Sequence, residues 1–200
     1  MAAILRRGPS KWVRLLAWNT LDDTIVPGSW FHGRIYEDRC SLSPDGMLFA
    51  YFATKYHGPK TRGVDYAWTA ISRLPWLTAL ALWPEADTWT GRVEFLDNQN
   101  LIIDCPYWER DSTKDELPKG FSVNRRRIGK GASEQILAPT QQCSAMFDGS
   151  HGIDRNGRAF QYEDGKIVRG SRLIVDLGAM LPEPQQPSEI AHTWPSRTKR

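Results

Sequence analysis

Apolar and polar residues alternate along most of this chain in short runs, and residues suited to tight turns punctuate them. A period of two predicts antiparallel β-strands rather than helices. Such runs occupy Trp30–Glu37, Cys40–Ser43, Met47–Ala53, Tyr66–Ser72, Leu77–Trp83, Gly91–Leu96 and Leu101–Asp104, with a last group between about Ile136 and Leu177. The four runs from Tyr66 to Asp104 read together as one meander. A helix over Trp76–Trp83 competes, because Leu77, Leu80 and Ala81 have helical spacing, but Pro75 and Pro84 on either side favour a strand. Lys11–Asn19, with Trp12, Val13, Leu15, Leu16 and Trp18, fits either an edge strand or a short helix.

The turns have identifiable chemistry. In Ser43-Pro44-Asp45-Gly46, Pro44 presets φ, Asp45 caps the local backbone and Gly46 accepts positive φ. Asp97–Asn100, Asp154-Arg155-Asn156-Gly157 and Glu163-Asp164-Gly165-Lys166 predict further hairpins. A Gly-Arg pair followed by an alternating run and an Asx or Gly turn recurs at Gly33-Arg34, Gly91-Arg92 and Gly157-Arg158, the last two as GRVEFLDNQNLII and GRAFQYEDGKIV. This predicts repeated meanders. The segment CSLSPDGMLFAYF (40–52) resembles the Ser-Pro-Asp-Gly hairpin in blades of β-propellers of the WD-repeat and Tol-type classes. The resemblance implies an all-β fold in which that turn joins two inner strands of a blade. About three meanders fall short of the ~4–8 blades that close a propeller. The expected architecture is therefore antiparallel meanders, propeller-like or folded into a compact β-sandwich, with exposed sheet edges that other elements or a partner must cover.

One domain is expected over residues 1–181, with a polar excursion at about 106–139, followed by a flexible proline-rich tail over 182–200 that orders on a partner. Nine tryptophans supply apolar bodies for sheet packing or for contacts. The three cysteines, Cys40, Cys105 and Cys143, are widely spaced and lack metal-ligand spacing, which points to a reducing cytoplasm. No signal peptide is read at the N-terminus, no apolar run is long enough to span a membrane, and no membrane association is expected.

Motifs for common catalytic chemistry are missing: there is no phosphate loop of the GxxxxGK[ST] type, no GxSxG and no HExxH. Asp148, His151 and Asp154 in DGSHGID are a candidate divalent-metal site, since oxygen and imidazole ligands three residues apart can meet at a turn. Arg125, Arg126, Arg127 and Lys130 are candidates for neutralising phosphates of a nucleic acid, with Phe121 as a stacking face. A net charge of +3 does not by itself specify such a partner. His32, His57 and His192 have no carboxylate at a recognisable spacing. The reading is a non-catalytic scaffold or interaction subunit of a cytoplasmic complex, without a cofactor, that binds a protein partner or itself. A nucleic-acid-binding accessory subunit is the alternative, and a metal-dependent enzyme at Asp148, His151 and Asp154 the third.

Overall fold

Four β-sheets follow one another along the chain in the computed structural model, which describes residues 1–55, 66–85, 88–106, 117–128, 146–147, 150–183 and 185–196. The first sheet is an antiparallel meander of β1 (Ala2–Arg7), β2 (Trp12–Asn19) and β3 (Thr24–His32), in that spatial order. Lys11–Asn19 is thus neither helix nor edge: β2 is the central strand, buried from Val13 to Trp18. A strand covered on both faces loses its period-two signature, which is why the pattern left its type open.

The second sheet contains β4 (Arg34–Ile35), β5 (Ser41–Leu42), β6 (Leu48–Thr54), β7 (Ala67–Arg73) and β8 (Ala79–Pro84), and every residue of β6 is buried. The Ser-Pro-Asp-Gly turn joins β5 to β6 as its residues predict. Gly46 has φ +75°, its amide donates to the Ser43 carbonyl at 2.8 Å, and Asp45 Oδ1 accepts from the Met47 amide at 3.0 Å.

The third sheet, of β9 (Val93–Phe95), β10 (Asn100–Pro106) and β11 (Ser122–Ile128), corrects two expectations. The runs between Tyr66 and Asp104 do not form one meander, because β8 pairs with β7 and β9 with β10, and no ladder joins β8 to β9. The backbone crosses between sheets over the ring of Phe52 at Gly91, where φ is +90° and an added Cβ would lie 2.1 Å from Phe52 Cδ2. Only glycine tolerates both conditions. Arg39 holds the crossing, donating at 2.7 Å to the carbonyls of Thr88 and Thr90. Secondly, β11 lies inside the predicted polar excursion and pairs with β10 in parallel, in an otherwise antiparallel fold.

The fourth sheet is a meander of β12 (Met146–Phe147), β13 (His151–Ile153), β14 (Ala159–Glu163), β15 (Lys166–Arg169) and β16 (Arg172–Asp176). Both turns predicted here form, with positive φ at Gly157 and at Asp164-Gly165. The three Gly-Arg pairs are not conformationally equivalent: Gly91 and Gly157 have positive φ and Gly33 does not.

Apolar side chains fall into three clusters, each between neighbouring sheets. Ile71, Trp83, Leu101 and Ile103 join the second and third sheets. Val13, Leu15, Phe49 and Tyr51 join the first and second. Leu16, Trp18, Phe160 and Ile167 join the first and fourth. The strand β2 thus feeds two cores from its two faces. The proline-rich C-terminal segment lies against this body: a short 3-10 helix, Glu189–His192, buries Ala191, and the Trp194 ring stands 5.1 Å from that of Phe121. Among the described residues no helix is long and apolar enough to cross a membrane.

Candidate binding cleft

The first strand borders a deep concavity. Among the described residues β1 pairs only with β2, so its outer edge is unpaired. Side chains on alternate sides of β1 enter different cores, Ala3 and Leu5 toward the second sheet and Ala2 and Ile4 toward the fourth. That edge forms the floor of a cleft of about 690 Å³, within the range of pockets that hold ligands. One wall carries Ile35 and Leu42 of the second sheet, and the other Phe160, Tyr162 and Leu177 of the fourth sheet and its exit.

Arginines tie the walls together. At the Arg7 end of β1, Arg7 Nη2 contacts Glu37 at 2.6 Å. The Asp154–Gly157 turn meets two others, with Arg155 Nη1 donating to the Pro44 carbonyl of the Ser-Pro-Asp-Gly turn at 3.1 Å and Asn156 Nδ2 to Thr20 Oγ1 beside the β2–β3 turn at 3.3 Å. Arg6 Nε donates to the Leu177 carbonyl at 2.7 Å.

Beneath the fourth-sheet wall lies a buried ionic network. Arg169 donates to both carboxylate oxygens of Asp23, at 3.1 and 3.0 Å, and to Asp154 Oδ2 at 2.9 Å. Arg158 adds a contact to Asp154 at 3.3 Å, and the Trp18 indole donates to Asp23 at 3.2 Å. The side chains of Asp23 and Asp154 are only 4% and 2% exposed. Burial acts to raise the Asp154 pKa, but amide donation from Arg158 and Asn156 and the Arg169 guanidinium outweigh it and hold the carboxyl below its usual range. The network fastens the β2–β3 turn to the fourth sheet and holds the cleft wall in place.

The residues singled out from the sequence are distributed differently from their spacing. Asp154 is committed to its arginines and to the amides of Asn156 and Arg158. His151 is exposed, and burial alternates from His151 to Asp154, so the two lie on opposite faces of the strand and are not brought together. Asp148 lies outside the described residues. Among those described, no group of three His, Cys, Asp or Glu side chains is placed to hold a metal ion.

The arginine run is likewise divided by strand geometry. Arg125 and Arg127 pair in register with Ile103 and Cys105, while Arg126 opposes Asp104 and binds its carboxylate at 2.7 Å. Consecutive strand residues face opposite ways, so three adjacent arginines do not make one basic patch. Phe121 is a correction: it is 8% exposed, packed in the core against Phe95 and Trp194, and offers no stacking face. Lys130 lies outside the described residues. No motif in the sequence marks the cleft or its network; the signals present are the apolar start AAILRR and the adjacent carboxylates Asp22-Asp23.

Comparison of the chain with protein-family models, with curated proteins and with solved structures finds no significant match.

Proposed function

We propose that this chain is a non-catalytic interaction module that receives an extended segment of a protein partner along the free edge of β1. The reading places the module in a reducing compartment such as the cytoplasm and treats its sheets as propeller-like meanders that hold the cleft rigid. The observation that carries it is the unpaired β1 edge at the floor of an apolar cleft. Exposed strand edges are normally blocked by lysine, proline or a covering element, and β1 has only apolar residues until Arg6. An edge of this kind accepts another strand through main-chain hydrogen bonds, with side-chain pockets providing selectivity.

The charge balance narrows the partner. Three arginines, Arg6, Arg7 and Arg155, line the cleft with two carboxylates, Glu37 and Asp154. Both carboxylates already have arginine partners, Glu37 in Arg7 and Asp154 in Arg158 and Arg169. The segment that fits alternates apolar side chains and carries an acidic residue.

Selection of displayed peptides against the whole chain tests this. Alternating apolar sequences with Asp or Glu should emerge, the amides of β1 should gain protection from hydrogen exchange in their presence, and Tyr162→Lys on the exposed wall should weaken binding at least tenfold. Peptides that bind without protecting β1, or equally well after Tyr162→Lys, would rule the reading out.

A further inference from the structure

On the fourth-sheet side of the first sheet, three residues in register across β1, β2 and β3 form a second site: Arg6 opposes Arg14, and Arg14 opposes Trp30. Both guanidiniums lie against the same indole, Arg6 Cζ at 5.6 Å and Arg14 Cζ at 5.3 Å from the Trp30 ring. Arg14 is 8% exposed. Arg6 Nη1, Arg14 Nε and Trp30 Nε1 are all buried N–H groups without a hydrogen-bond acceptor. Three buried donors in one cluster, two of them cationic, run against the strong tendency of folded proteins to satisfy buried polar groups.

The surroundings leave these donors unmatched. Gln185, with its amide turned to satisfy both neighbours, accepts from Arg14 Nη2 at 3.1 Å and donates to the Gly28 carbonyl at 3.2 Å, leaving Arg14 Nε unmatched. Among the described residues no carboxylate forms an ion pair with Arg6 or Arg14. Glu183 is exposed and acts on Arg14 only through space. Burial lowers the Arg14 pKa most; the pull of Glu183, which raises it, comes next and exceeds the push of the Arg6 charge. Two like charges are thus held against one aromatic plate, with buried donors that no acceptor meets among the described residues.

We propose that Arg6, Arg14 and Trp30 form a binding site for a phosphate-type oxyanion, next to the cleft whose lining Arg6 shares. Guanidinium forks match the oxygen geometry of phosphate or sulfate, and an indole N–H adds a directional third donor that chloride uses poorly. Leu177 and Gln185 both contact the site's arginines, so an anion there also ties the exit of the fourth sheet to the first.

The test measures thermal unfolding and titration calorimetry of the whole chain with sodium phosphate, against sodium chloride at equal ionic strength. Phosphate should bind saturably and raise the midpoint by about 5–10 °C at roughly one hundred times its Kd. Arg14→Met should abolish the response and, in buffer free of oxyanions, unfold no lower than the parent chain, since it removes an uncompensated buried charge. Trp30→Phe keeps the ring and removes the donor, and should weaken phosphate binding on the order of tenfold. It keeps the proposal testable if Arg14→Met fails to fold. Phenyl phosphate identifies the source: binding as tight as phosphate marks a phosphorylated molecule, and exclusion marks the free ion. A midpoint that follows ionic strength alone, or phosphate affinity unchanged by Trp30→Phe, would overturn the proposal.

Discussion

In the second sheet every residue of β6 is buried, whereas in the fourth sheet β14 buries Phe160 alone among its five residues. Both sheets depend on the same kind of tight turn, a Pro-Asp-Gly or Asx-Gly sequence with positive φ at its glycine. Turn chemistry therefore sets where the chain reverses, and burial sets how firmly the resulting sheet is held. The second sheet contributes to two cores and lies between its neighbours. The fourth contributes to one, and relies in addition on the Asp23–Arg169–Asp154 network. It is therefore expected to open first, and it carries one wall of the cleft.

The strongest way to erase this difference is to loosen the better-buried sheet itself. Phe52 is fully buried beneath Gly91, and Phe52→Ala should cost about 3–5 kcal/mol in denaturant unfolding and lower hydrogen-exchange protection in β6 and β7 toward that of the fourth sheet. Arg169→Met should sharpen the difference instead. It leaves two buried carboxylates short of their main partner at a cost of about 3 kcal/mol, and protection should fall in β13–β15 while β6 and β7 stay protected. Equal loss in the two sheets would mean that the fourth does not open separately.

Acid provides a milder version of the same experiment. Because the Asp154 carboxyl is held below its ordinary pKa in the folded protein, its stabilisation is complete above the unfolded value of about 3.9 and is lost as pH falls through the folded value. Exchange from the fourth sheet should therefore accelerate below about pH 4, and Asp154→Asn should remove that part of the acid sensitivity. The smallest effect is expected at the surface. The Arg7–Glu37 pair is 60% exposed on each side, and Arg7→Ala should change stability by less than about 0.5 kcal/mol, with its loss confined to cleft binding.

Local chemistry in the sequence identified most strands and the hairpin turns, because turns and period-two patterns act over a few residues. Its failures share one cause, that neighbours in sequence are not neighbours in space. Three adjacent arginines divide between two faces of β11, and His151 and Asp154 are separated in the same way. Phe121 looked like an exposed aromatic in a polar stretch until Phe95 and Trp194 closed around it. The parallel pairing of β10 with β11 aligns Asn100–Pro106 with Ser122–Ile128, a register that no short pattern records. Arg169 finds Asp23 across 146 residues, and nothing near either residue announces that meeting.

That distance also orders events in time. The first sheet is complete by His32, yet the partners of Leu16 and Trp18, namely Phe160, Ile167 and Leu177, emerge only after a long intervening stretch of chain. Until then that face of the first sheet lacks the cover these residues give it. A nascent chain of this design carries an aggregation risk on that face, and a ribosome that stalls before residue 160 leaves it without them.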